Sequence, residues 1–176
     1  NGLKLAPAHI NLSASELELT SQAGRELILK EALRPVLHDY DYILIDCAPS
    51  LGILTLNALV ASREVFIPLQ TEFLAMQGMS KLLETLALVK QRLNHDIEVT
   101  GIIGTMYDGR KNLSGEIVST VRSHFGDKLF KTLIRSNVSL AEAPSYGQDI
   151  FSYKSDSIGA EDYQALAKEV IAMEGN

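Results

Sequence analysis

Tyr42-Ile-Leu-Ile-Asp46-Cys-Ala-Pro49-Ser-Leu-Gly52 is an apolar run that ends on an acid and breaks into a turn made with Pro and Gly. Strict alternation would mark a strand with one wet face, whereas an unbroken apolar run marks a strand covered by helices on both faces. In open α/β sheets ligands bind outside the carboxyl ends of the strands, so Asp46 stands where chemistry is expected. A carboxylate there suits a magnesium ion held through water, because magnesium keeps several waters and needs only one or two carboxylates beside substrate phosphates. It suits equally a cap on the helix or turn that follows. Cys47 fits a small buried hydrophobe better than a nucleophile, since no paired His is near it in sequence.

Outward from this run, further short apolar stretches at residues 3–7, 64–69, 99–106 and 132–134 read as buried strands. Helical patterns separate them. Residues 71–94 place Leu82, Leu86, Val89 and Leu93 on one stripe, and 160–173 align Leu166, Val170 and Met173. Residues 21–38 bring Leu29, Leu33 and Leu37 to one face, with a kink expected at Pro35. Ser13-Ala-Ser-Glu16 has the spacing of a capping box. Strands alternating with helices imply parallel pairing through right-handed crossovers, hence an α/β fold with a mostly parallel sheet flanked by helices. Without an internal repeat, linker or low-complexity tract, residues 1–176 read as one domain or most of one.

Composition agrees with a globular chain: 46% of the 176 residues are hydrophobic and 22% charged. The richest apolar stretch, 53–61, is interrupted by Asn57 and falls far short of the roughly 18 residues a membrane span needs. A single cysteine excludes an internal disulfide or a cysteine zinc cluster. The four histidines lack metal-ligand spacing. The opening Asn1-Gly-Leu-Lys-Leu is no secretory signal, and the missing initiator Met suggests a processed or excised chain; the single cysteine makes a reducing, cytoplasmic setting the expectation. A net charge of −6 argues against a surface wholly given to nucleic acid but leaves room for a local basic patch.

The 42–52 segment resembles the Walker B and switch II stretch of ParA/Soj partitioning ATPases, with Ala48 in place of one Pro. The likeness continues through Thr55-Leu-Asn-Ala-Leu, Ile67-Pro-Leu-Gln, Glu72, Gly78, Gly101, Thr105-Met-Tyr-Asp108, Asn137-Val-Ser-Leu, Glu142-Ala-Pro-Ser-Tyr-Gly147 and Gly159-Ala-Glu. It thus covers nearly the whole chain in order. The resemblance implies a P-loop NTPase-like fold of the ParA/MinD type. It also implies a magnesium role for Asp46, switch II positions at Asp46, Pro49 and Gly52, and nucleotide neighbours at Met106, Asp108 and Arg135.

Arg110 falls where the family carries an arginine for sequence-independent DNA binding, with Lys111 beside it. Taken singly, Met106 and Asp108 also read as a strand end and an Asp-Gly turn, and Arg110-Lys111 as a solvated pair. At 132–140 the chain departs from the family's Ile-Pro-Arg-Asn-Val-Arg-Leu: Arg135 replaces a Pro, and Ser136 and Ser139 replace basic residues. That loss weakens the expectation of strong DNA binding, which Arg135, displaced by one position, would partly restore.

A P-loop ATPase needs a Gly-rich phosphate cradle with its Lys and Ser/Thr, and none occurs in these 176 residues. In the family that loop and the water-orienting Asp lie upstream. The resemblance therefore implies the C-terminal part of one ATPase domain, incomplete at its N-terminus and without ATPase activity by itself. The strand that leads into the P-loop would run beside the Asp46 strand, so apolar surface and strand edges should lie open and pair with another chain. For the intact protein the resemblance implies ATP and Mg2+, a homodimer closed around ATP, DNA binding on the nucleoid and a ParB-type partner. Two alternatives remain: a ParA/MinD-like ATPase that positions another cargo, and a truncated, nucleotide-free regulatory module. The closing helix lacks the basic face of a membrane-binding one, which speaks against MinD-type anchoring.

Overall fold

A computed structural model describes residues 2–48 and 50–174. The chain divides into two units, Asn1–Arg63 with Leu82–Glu98, and Glu64–Lys81 with Val99–Asn176.

The first unit is built from short helical pieces. A 3-10 turn at Ile10–Ser13 leads into α1 (Ser15–Leu19), and the Nδ1 of His9 accepts the Asn11 N–H at its start. The helix expected over 21–38 is broken into a 3-10 turn (Arg25–Leu27), α2 (Ile28–Leu33) and a second 3-10 turn (Arg34–Val36). Pro35 lies in that last turn, where its missing N–H and its ring end the α-helical ladder. α3 (Ile53–Ala61) and the later part of α4 (Phe73–Arg92) complete the unit. Leu86 and Val89 are buried while Leu93 reaches the surface, so the expected α4 stripe is apolar inward for its middle turns.

Asn57, the polar break in the apolar run of α3, is itself buried. Its Nδ2 donates to the carbonyls of Arg25 (2.7 Å) and Ile53 (3.0 Å), and its Oδ1 accepts the Leu29 N–H (3.0 Å). One side chain thereby satisfies main-chain groups of the 25–29 segment that no helix partner reaches. Asn94 does the same beyond α4, donating to the carbonyls of Leu59 and Ser62.

Residues 3–7 and 42–47, both expected as strands, are not strands. They are largely exposed: Leu44 is 87% and Leu3 89% accessible. An apolar run becomes a strand only when a neighbouring strand pairs with it, and among the described residues neither run joins the sheet.

The second unit holds the sheet. β1 (Glu64–Gln70) and β2 (Glu98–Thr105) pair side by side. Glu98 N donates to the Arg63 carbonyl before the start of β1, and Thr71 N donates to the Thr105 carbonyl at the far end, so the two strands run parallel. On the other side of β2, Phe130 N donates to Ile102 O and Ile134 N to Gly104 O, with parallel bridges at Ile102–Leu129 and Tyr107–Arg135. Carbonyls two residues apart point the same way, so β2 lies between β1 and the 129–135 segment. The strand expected at 132–134 is present only as these bridges.

Helices flank this sheet, as the sequence pattern implies: α5 (Asn112–Phe125), α6 (Val138–Glu142), α7 (Ile150–Lys154) and α8 (Ile158–Glu174). Ile102 is fully buried, and Phe130, Ile134 and Leu166 form a core with Phe66, Ile103, Leu140 and Val170. Gly101 lets Phe130 lie flat on β2, because a Cβ there would stand 2.1 Å from the ring. The outer edge of the 129–135 segment is covered by α8: Glu169 accepts the N–H groups of Lys131 and Thr132, and Asp162 that of Arg135. A carboxylate-capped edge offers no N–H row to a foreign strand. Among the described residues no helix is long and apolar enough to cross a membrane.

Candidate functional site

Two groups of sequence-predicted residues fall in different units. In the first, Asp46 sits exposed in the 42–48 segment, which is neither helix nor strand. Gly52 precedes α3 in extended backbone, and its hydrogen faces the Glu16 carboxylate so closely that a Cβ would lie 2.3 Å from Oε1. Thr55 Oγ1 closes the turn by donating to the Ser50 carbonyl at 2.6 Å. Pro49 lies outside the described residues. Cys47 is exposed rather than buried, contrary to expectation. Desolvation of its sulfur and then the charge of Asp46 push the thiol upward, which disfavours the reactive thiolate. Among the described residues no three His, Cys, Asp or Glu converge on a metal site. A lone exposed carboxylate does fit a magnesium ion that takes its other ligands from water and phosphate.

In the second unit the end of β2 gathers Met106, Asp108, Arg110, Lys111 and, through the main chain, Arg135. Tyr107 N donates to Ile134 O and Tyr107 O accepts Ser136 N, so the loop after β2 is stitched to the neighbouring segment on both sides of Tyr107. The residue before this stitch, Met106, is held at φ 53°, the left-handed region that suits Gly. Its side chain is 57% exposed, so packing does not explain the conformation. It is the one non-Gly residue with positive φ among those described. Non-Gly residues in such backbone cluster at ligand sites.

Asp108 and Arg110 form a fork. Arg110 Nε meets Oδ1 at 2.9 Å and Nη2 meets Oδ2 at 2.9 Å, while the Arg110 main-chain N–H also reaches Oδ1 at 3.1 Å. The side-chain bonds first, then the main-chain bond, hold the Asp108 carboxyl down to about 2. The carboxylate side is only 16% exposed but the Arg110 side chain is 91% exposed. Lys111, also exposed, is the N-cap of α5, with its N–H donated to Asp108 O at 3.0 Å.

Arg135 is placed otherwise than as a free ligand. Its guanidinium binds Asp162 through Nε and Nη2 and reaches Glu161 at 2.8 Å, so bonds to Asp162 and then Glu161 hold it firmly charged. Only its main chain lies at the Met106 loop. The two serines also differ from each other: Ser136 is exposed, whereas Ser139 is buried in α6 and would not present a charge to solvent. The 142–147 motif forms a 3-10 turn ending at left-handed Gly147, with Tyr146 stacked on Tyr153 at 5.1 Å.

Sequence reasoning missed Asp162 and Glu169, the carboxylates that set the 131–135 segment. Their only signal was an acid among the apolar positions of α8. It also missed the strain at Met106, which no residue type announces.

Comparison with known proteins identifies the lineage. A protein-family model described as an AAA domain matches residues 1–99. The chain is 50% identical over 169 residues to the chromosome-partitioning ATPase Soj of Treponema pallidum, covering 96% of this chain and 67% of that protein. It is 49% identical to the sporulation initiation inhibitor protein Soj of Bacillus subtilis, covering 97% of this chain and 67% of that one. It thus spans about two thirds of the length of these relatives. Among solved structures, cobyrinic acid a,c-diamide synthase from Mycobacterium smegmatis superposes with a TM-score of 0.78 at 34% identity, over 94% of this chain and 60% of that one. The same protein has been solved with an ATP analogue and magnesium bound, and that form matches with a TM-score of 0.70 over 81% of this chain and 63% of its own. With half its residues shared with a named member over nearly all its length, the chain belongs to the ParA/Soj family of partitioning ATPases, on a P-loop NTPase fold.

Proposed function

We propose that this chain is the C-terminal part of a DNA-partitioning ATPase domain that supplies the base-side and DNA-side surfaces of the intact protein. The observation that carries the reading is the loop after β2, in which strained, exposed Met106 and outward-facing Arg110 stand within five residues of each other. Met106 and Asp108 flank the adenine of ATP, with the Arg135 main chain beside them, and Asp46 holds Mg2+ through water, with Pro49 and Gly52 forming the switch that follows. Arg110 and Lys111 contact phosphates of DNA without reading bases, the mode expected of side chains that offer charge at a surface. The intact protein dimerises around ATP on the nucleoid and meets a ParB-type partner. This chain alone does not hydrolyse ATP, since the Gly-rich phosphate cradle is not among its residues.

Titration with magnesium and a fluorescent ATP analogue tests the first half: no saturable, magnesium-dependent signal is expected. A saturable one would mean that a phosphate site exists among residues assigned other roles. For the second half, Arg110→Ala should weaken binding to short duplexes of unrelated sequence equally and lower the salt slope by about one.

A further inference from the structure

The fork between Asp108 and Arg110 sets two demands on one guanidinium. Arg110 offers the Nε–Nη2 edge to the carboxylate, at 2.9 Å for each bond, and this edge is one of the two with which a guanidinium grips a phosphate bidentately. The side chain is 91% exposed, so a phosphate can reach it, whereas Asp108 is held close to the protein at 16% exposure. The carboxylate is pinned further by the Arg110 main-chain N–H. Asp108 remains ionised throughout the working pH range, its carboxyl being held at about 2. The positive charge of Arg110 is therefore paired with an equal negative one in a chain whose net charge is already −6.

We propose that Asp108 is a built-in competitor for the DNA phosphate: Arg110 exchanges this carboxylate for a backbone phosphate on binding, and Asp108 thereby keeps DNA affinity low. The proposal rests on the reading of Arg110 as a DNA contact. Exchange costs the ion pair and gains a phosphate contact with counterion release, so the surface binds DNA weakly and reversibly, with neighbouring Lys111 adding further attraction. Exposed ion pairs are weak, so releasing Arg110 should tighten binding by about two- to five-fold and no more.

The test is fluorescence anisotropy of a labelled 20-base-pair duplex at low salt, with four variants of the chain. Asp108→Asn removes the competing charge but keeps Oδ1 as acceptor for the Arg110 N–H, so the turn is preserved. Asp127→Asn removes the same charge from an exposed turn at Gly126–Lys128 and reports the general effect of net charge. Asp108→Asn should tighten binding by about two- to five-fold, beyond Asp127→Asn, and the gain should vanish when Arg110→Ala is added. If Arg110→Ala weakens binding but Asp108→Asn binds no tighter than Asp127→Asn, the competitor is overturned and the DNA reading stands. A gain that persists without Arg110 overturns it likewise. Binding insensitive to Arg110→Ala, or no binding by any variant, overturns both.

Discussion

Arg135 and Asp162 are joined through main chain and side chain at once: the Arg135 N–H reaches Oδ2 at 2.9 Å, while Nη2 lies 2.6 Å from Oδ1. The proline that resemblance expects at this position could make neither bond. Arg135 thus exchanges a rigid φ for an anchor that ties the 131–135 segment to α8. Because Tyr107 pairs with Arg135, the same anchor fixes the loop that carries Met106.

Asp162→Ala leaves the Arg135 N–H and guanidinium without their acceptor. Asp162 is buried but the guanidinium is 41% exposed and keeps Glu161, so the loss is that of a part-buried network, about 1–3 kcal/mol. Denaturant melts should show a lower midpoint at unchanged slope. Arg135→Lys should recover only part of the difference between Arg135→Ala and the parent, because an ammonium cannot match the two-atom fork. Full recovery by Lys would mean that charge alone matters.

Glu169 gives the chain a pH-dependent tie. Partial burial pushes its carboxyl up, but bonds from Thr132 and from the N–H groups of Lys131 and Thr132 outweigh that and leave it below its ordinary value. A carboxyl depressed in the folded state stabilises above its unfolded value near 4.5 and loses that contribution as pH falls through the folded one. The stability gap between the parent and Glu169→Gln should therefore be widest near neutrality and narrow as the pH falls below 4.5. A gap independent of pH would assign the role of Glu169 to hydrogen bonding without charge.

The order of elements around β1, α4, β2 and α8 was legible because each carries a long periodic signal whose apolar face must be buried. The runs at 3–7 and 42–47 carry an equally clear strand signal, yet a strand is a pair property, and neither run joins the β1–β2 sheet. Arg110 was legible as a surface cation. Its Asp108 partner reads in sequence as a nucleotide neighbour, since the fork depends on a turn that brings side chains two residues apart face to face. The Arg135 ion pair was not legible for the opposite reason: its partner lies 27 residues away on α8, a separation that no local pattern reports.

Gly101→Ala should destabilise without touching the candidate site. The added methyl would meet Phe130, whose ring is stacked on Phe66 at 5.9 Å and buried on β2, so neither ring nor strand yields easily. Overpacking of this sort costs about 1–3 kcal/mol. Phe130→Leu in the same chain should relieve part of that loss, and strict additivity of the two changes would show that the contact is not the cause.

Met106 offers the sharpest link between backbone and function. Left-handed backbone costs a non-Gly residue about 1–2 kcal/mol, and a side chain 57% exposed recovers little of it by burial. Met106→Gly removes that strain but adds unfolded-state freedom of about 0.4–1 kcal/mol, so a net gain near 0.5–1 kcal/mol is expected. For a chain of this size that is about a 1–4 °C rise in melting midpoint. A methionine that lowers stability where glycine would serve must be kept for what its side chain touches, which is the case a base-side contact makes. If Met106→Gly instead destabilises, the Met106 side chain contributes packing that offsets its backbone, and the strain no longer argues for a ligand.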